Sequence, residues 1–291
     1  MPAVTERRQP RGTAFTIRDA LLWSDVAAIA REGERRGYAA VFLPEIASQR
    51  DTLATLAGLA GETSRLLLGT GVVPMRSRTP ELAAMAAATV QERSGGRVIL
   101  GVGTGGAAPG ALDRLRSYVE DIRRHLADTM VPAGAPIPIW IAALGPRATE
   151  LAARIADGVI LNWCTPERVR SARDAIRAAA AAAGRDPDAV TISVYVRAAF
   201  TDRSEEALLA AASEYVASPA YARQFRSMGV EPTAETAVDA VCLRGDPGAA
   251  RARLDAYRAA GADLPVVYPV LAAGEGREAS VAALTTLAPE A

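Results

Sequence analysis

Two cysteines and one histidine in 291 residues leave little scope for metal chemistry. Cys164 and Cys242 are far apart, with no CxxC pair and no Cys/His cluster, so neither a disulfide framework nor a structural zinc site is indicated. His125 is the only histidine, which excludes an HExxH motif and any histidine-rich metal site. At the end of an amphipathic helix it reads as a solvated residue, not a base. An excess of charge of either sign is missing too. The 33 basic residues match 33 acidic ones, and a net charge of 0 creates no field to gather nucleic acid or anionic lipid. No window approaches the length of an uninterrupted apolar span, because Arg, Asp and Glu recur at helical spacing through the alanine-rich segments. The expectation is a protein of the reducing cytoplasm whose partner is a small molecule, not nucleic acid or a membrane.

What the chain does contain is core material. Half of its residues are hydrophobic, enough for one α/β barrel or two ordinary domains. Residues 1–12 are polar, carry Arg7, Arg8 and Arg11, and read as a loose arm before a single domain over 13–291. Residues 14–23 read as a first strand and its exit, with Ser24 or Asp25 able to cap the next helix. Apolar runs without alternation recur at 39–43, 65–74, 95–106, 137–144, 158–162, 190–199 and 264–270, as expected of parallel strands covered on both faces. Helical patterns fill the intervals, at 51–63, 80–93, 112–126, 147–155, 166–183, 204–227, 233–242 and 247–260, with a last one at 277–287. Eight strands alternating with helices predict a (β/α)8 TIM barrel.

One stretch competes with that reading. Gly101, Gly103 and Gly106 follow a β-branched run with the spacing G-x-G-x-x-G of a dinucleotide-binding turn. In that fold the turn follows the first strand and an acid ends the next strand about 20 residues on. Here it follows the fourth strand, and Glu120 and Asp121 fall inside a helix. The context favours the barrel.

A barrel of this kind works at the C-terminal ends of its strands. The exits hold Trp23, Pro44-Glu45, Gly69-Thr70-Gly71, Gly103-Thr104-Gly105-Gly106, Leu144-Gly145-Pro146-Arg147, Asn162-Trp163-Cys164, and Tyr195 with Arg197. Acids and bases are few and small residues many, which suits a flat ligand lying close to the backbone, with glycine turns before helices offering amides to phosphate.

These motifs, with Thr63 to Pro74, Arg78-Thr79-Pro80, Ser94 to Gly105, Pro138 to Arg147 and Ala156 to Trp163 in order, resemble the luciferase-like monooxygenase superfamily. They are similar in particular to its branch dependent on the deazaflavin coenzyme F420. The resemblance implies a TIM barrel, a hydride transfer between F420 and a small organic substrate, and a homodimer. FMN is the alternative cofactor, with monooxygenation as the reaction. It also implies a non-proline cis peptide at Gly71-Val72 behind the cofactor ring, with Thr70 beside it. Gly103, Thr104 and Gly105 would border the cofactor's chain. Gly145, Pro146 and Arg147 would present a helix start to its phosphate, and Arg76 and Arg78 would meet an acidic tail. Glu45 becomes the catalytic candidate, against a structural role such as pairing with Arg50. Trp23, Asn162, Trp163 and Tyr195, with Tyr221, are candidates for a partly aromatic substrate lining.

Two departures from the pattern matter. Ile46 stands where many relatives carry a histidine, and the segment 125–136 is short where relatives carry an insertion that helps cover the site. The mouth is then open, or closed by another chain or by residues 218–231. A barrel that has kept its fold and lost its chemistry, acting as a binding or partner subunit, is the alternative from a different class.

Overall fold

Short β-branched runs bounded by glycine and proline pair in parallel, and amphipathic helices carry the chain back outside them. The computed structural model describes residues 10–17, 21–106, 108–132 and 134–289. The elements are β1 (Ala14–Thr16), α1 (Trp23–Arg35), β2 (Ala40–Leu43), α2 (Thr52–Glu62), β3 (Leu67–Thr70), β4 (Val73–Pro74) and α3 (Pro80–Ser94). They continue with β5 (Val98–Gly103), α4 (Ala111–Ala127), β6 (Ile139–Ala142), α5 (Pro146–Ile155), β7 (Gly158–Asn162) and α6 (Pro166–Ala182). The last are β8 (Thr191–Ala199), α7 (Asp202–Ala217), α8 (Pro219–Ser227), α9 (Ala234–Val241), β9 (Leu243–Arg244), α10 (Pro247–Ala259), β10 (Leu264–Pro269) and α11 (Arg277–Thr286).

The main strands run in the order β10-β1-β2-β3-β5-β6-β7-β8, all parallel, and β8 pairs with β10 to close the ring. This is the predicted TIM barrel. Two short pieces extend it at the C-terminal end, β4 on β5 and β9 on β8. The predicted strand over 65–74 is thereby divided into β3 and β4. Of the predicted arm, residues 1–9 lie outside the described residues, while the Gly12 amide donates to the Asp263 carbonyl at 3.2 Å.

Period-two alternation sorts each strand between two cores. Val194 and Val196 face the helices, while Tyr195 joins Ala14, Ala40, Phe42, Ile99, Trp140, Ile160, Leu264 and Val266 inside the barrel. Prolines set the helix starts. Thr79-Pro80, Thr165-Pro166 and Asp246-Pro247 each place a capping oxygen before a residue whose missing amide costs nothing there.

The N-terminal end of the barrel is tied by side chains. Arg97 donates five hydrogen bonds, to the carbonyls of Ser94, Leu66, Ala60 and Thr63 and to Thr63 Oγ1, joining the α2–β3 and α3–β5 connections. The Asp157 carboxylate accepts the Ile139 amide at 2.8 Å and so braces the start of β6. The helical stretch over 204–227 breaks at Ser218, because Pro219 has no amide to continue it. The break turns α8 across the barrel mouth.

Candidate active site

The C-terminal mouth has two unlike walls. On the β3–β5 side the backbone itself forms the surface. Gly71-Val72 is a cis peptide, as the resemblance implies, and Val72 stands half-buried with its Cγ2 3.0 Å from where a Cβ at Gly103 would lie. Ala142 of β6 completes this apolar face.

The glycines of this wall are filled by the protein's own atoms. A Cβ on Gly71 would lie 1.7 Å from the Tyr195 hydroxyl, and one on Gly101 would lie 2.1 Å from the Thr70 carbonyl. Thr70 is fully buried, and its Oγ1 donates to the Gly101 carbonyl at 2.7 Å, so its side chain braces two strands and does not reach the mouth. The small residues at these exits are there first for packing, a correction to reading them all as ligand space.

Further out, Gly145 precedes α5 with nothing near its Cα and no side chain capping the helix, while Pro146 and Arg147 are exposed. The first amides of α5 thus face open space, an arrangement suited to an anion. Thr104 is half-buried beside Gly105, whose carbonyl accepts from the exposed Arg76 side chain. Arg76 and Arg114 line a groove of about 560 Å³ that also contains Asp113 and Asp121.

Glu45 does not stand free. Its Oε2 accepts Arg78 Nε at 2.7 Å, and Arg78 also bonds Asp51, so the ion pair expected with Arg50 is made with Arg78. Arg78 is mostly buried in this pair, and its guanidinium lies between two carboxylates of its own chain. Tyr118 of α4 lies close by. Burial, reinforced by the Glu45 charge, pushes its hydroxyl up to about 12. Backbone bonds join the same loops, from the Gly71 amide to the Leu43 carbonyl at 2.7 Å and from the Glu45 amide to the Val72 carbonyl at 3.4 Å. Glu45 thereby fastens the β2 exit to the chain that follows the bulge.

The β7–β8–β10 wall is made of side chains. Arg197, next inward-facing residue after Tyr195 on β8, is only 6% exposed. Its guanidinium carbon lies 4.1 Å from the ring of Trp163, 4.8 Å from Tyr215 and 5.1 Å from Tyr268. Its Nη1 donates to Asn162 Oδ1 at 2.8 Å, and Asn162 Nδ2 donates in turn to Tyr221 Oη at 3.1 Å. Desolvating a guanidinium costs several kcal/mol, and a buried cation–π contact returns about 2 kcal/mol or more.

Helix α8 covers this side, so of the alternatives of an open mouth, another chain or residues 218–231, it is the last that the fold places here. Gln224 Nε2 donates to the carbonyls of Asn162 at 2.8 Å and Trp163 at 2.5 Å, and Phe225 meets the Trp163 ring edge-on. Trp163 is 1% exposed and holds a left-handed backbone with φ of 50°. It supports Arg197 from behind and is no open lining residue. The Tyr195 hydroxyl, Trp163 Nε1 and Gln224 Oε1 are buried without hydrogen-bond partners. Burial raises the Tyr195 hydroxyl well above its usual range, so it stays protonated.

Trp23 is elsewhere. Helix α1 begins at this residue instead of at Ser24 or Asp25, and the indole covers Gly58 of α2 in the outer layer. A strand-exit position on paper became a helix-packing position. Cys164 is buried and its thiol is pushed up to about 12, an inert group. His125 lies in the last turn of α4. Among the described residues there is no cluster able to hold a metal ion, and no helix is long and apolar enough to cross a membrane. Sequence reasoning placed Arg197 at a strand exit but assigned it no role. Its signal was the two-residue step from Tyr195, which puts both side chains on the inner face of one strand.

Residues 9–264 match the luciferase-like monooxygenase family. A 5,10-methylenetetrahydromethanopterin reductase of Methanolobus tindarius is 30% identical over 266 residues, 82% of this chain and 80% of the relative. In fold, the chain resembles the coenzyme F420 dependent tetrahydromethanopterin reductase from Methanopyrus kandleri, with a TM-score of 0.73 and 18% identity over 96% of this chain and 98% of that one. It also resembles the oxygenating constituent of 3,6-diketocamphane monooxygenase from Pseudomonas putida in complex with FMN, with a TM-score of 0.72 and 15% identity over 96% of each chain. The protein is an enzyme of this kind, and the chain belongs to the luciferase-like monooxygenase family.

Proposed function

We propose that this protein is an F420-dependent oxidoreductase acting on a small organic substrate. The observation that carries the reading is the poverty of reactive groups at the mouth. Glu45 is engaged by Arg78, the Tyr195 hydroxyl is held protonated, and Arg197 and Asn162 are tied to each other by a hydrogen bond. Side chains of this kind position a reaction whose electrons come from a bound group. The relative in Methanolobus tindarius supports the same reading.

The residues present fit a flat phosphorylated cofactor. Val72, Gly103 and Ala142 form a smooth apolar face, and the uncapped start of α5 at Gly145 and Pro146 would hold a phosphate. Arg76, with Arg114 in the adjoining groove, would meet an acidic tail. When bound, F420 supplies a hydride donor or acceptor at a single ring carbon. The chain's own work is placement. Val72 would back the ring, α8 covers one side, and Arg197 would offer hydrogen bonds to oxygen on the substrate. Glu45 keeps the loop with Arg78 in register with the bulge.

Titration of the purified protein with F420 and with FMN, followed by fluorescence, tests the reading. F420 is expected to bind at least tenfold more tightly than FMN. A preference for FMN would favour the monooxygenase chemistry, and binding of neither would favour a barrel without catalysis.

A further inference from the structure

Arginines at two other places show how this chain uses a guanidinium as a tie. Arg97 fills all five of its donor positions with loop carbonyls and a threonine hydroxyl. Arg173 donates to the Gly261 carbonyl and pairs with Asp263 at 2.7 Å. Arg197 is more deeply buried than either and far less satisfied. Among the described residues it makes one side-chain hydrogen bond, to Asn162, and no ion pair.

The three rings around Arg197 accept the cation on their faces but take none of its in-plane hydrogens. Nη1 is used by Asn162, which leaves the Nε–Nη2 edge without a protein acceptor. Two buried donors on side chains around it lack partners, Tyr195 Oη and Trp163 Nε1. Buried donors of this kind are uncommon in folded proteins, and two of those in this chain belong to side chains beside one unpaired positive charge. The missing component is an acceptor with negative charge.

We propose that the box formed by Arg197, Asn162, Tyr195 and Tyr268 binds the substrate through a carboxylate, so that the substrates of this enzyme are small organic acids. The free edge of Arg197 matches the two oxygens of a carboxylate as a fork. Tyr195 runs from this box to Gly71, so an acid held by Arg197 lies within one tyrosine ring of the bulge. This inference rests on the mouth being the substrate side of an oxidoreductase. Arg197 is then the residue that decides which molecules enter.

Acetate, pyruvate and benzoate, each against its amide, serve as probes in titrations followed by calorimetry and by tryptophan fluorescence, since Trp163 lies against Arg197. At least one acid is expected to bind wild type tenfold or more tightly than its amide. Arg197→Gln should abolish that preference and Arg197→Lys should keep part of it, with F420 affinity within twofold of wild type in both. Equal binding of acids and amides, no binding of any acid, or a preference that survives Arg197→Gln would overturn the proposal. If Arg197→Gln does not fold, the wild-type pairs and Arg197→Lys decide. Failure of wild type to bind F420 counts against the oxidoreductase reading alone and leaves the comparison of acids with amides standing.

Discussion

The two walls of the mouth are built from different materials. The β3–β5 wall is backbone, with Gly71, Val72 and Gly103 presenting a surface whose shape depends on main-chain geometry. The β7–β8–β10 wall is side chain, with Arg197 held among aromatic rings under α8. A surface of backbone is generic and hard to alter by single substitutions. A surface of side chains is specific and can be rewritten residue by residue. On the proposed reading, the first wall would take the common cofactor and the second the particular substrate.

The largest expected effect comes from breaking the side-chain wall at its support. Trp163→Ala removes a buried ring packed on Tyr215, Phe225 and Arg197, and should cost about 3–5 kcal/mol in urea unfolding. It should weaken substrate binding more than F420 binding. On the backbone wall, Gly71→Ala forces a methyl against the Tyr195 hydroxyl and should cost about 1–3 kcal/mol. Tyr195→Phe in the same chain should recover part of that loss, and F420 titration should show the opposite pattern to Trp163→Ala.

Glu45→Gln tests how the walls are held in register. Removing half of a mostly buried ion pair is expected to cost about 2 kcal/mol, and Arg78→Gln a similar amount. The double variant should cost less than the sum of the two. If Glu45 instead exchanges protons with the substrate, only Glu45→Gln will abolish turnover.

The last effect shows only at alkaline pH. Burial raises the thiols of Cys164 and Cys242 to about 12, above the unfolded value of 9.0. Their contribution is fully present below pH 9 and is lost as pH rises toward 12, because the unfolded thiols ionise first. The slope is about 1.4 kcal/mol per pH unit for each thiol in that window. Melting curves for Cys164→Ala should fall less steeply between pH 9 and 10.5 than those of wild type.

The barrel was legible because its strands are unbroken apolar runs and its helices begin at Thr-Pro and Asp-Pro steps. What escaped depends on contacts between distant segments. Nothing near Thr70 announces that its hydroxyl reaches Gly101, and nothing near Glu45 announces Arg78, 33 residues on. Trp23 failed through a boundary shift of one or two residues, enough to turn a side chain from a strand exit to a helix face. Arg197 was visible as a residue but not as an unpaired charge, since pairing is a property of its surroundings.

Inside the barrel, Phe42 covers Gly69, Trp140 covers Gly158 and the Tyr195 hydroxyl rests on Gly71. Each large ring occupies the volume that its glycine gives up. For a lineage this makes the pair the unit of inheritance. A larger residue at any of these glycines is tolerated only with a smaller partner, on the neighbouring strand for Gly69 and Gly158 and across the lumen for Gly71, so the interior changes by exchange while its total volume is kept.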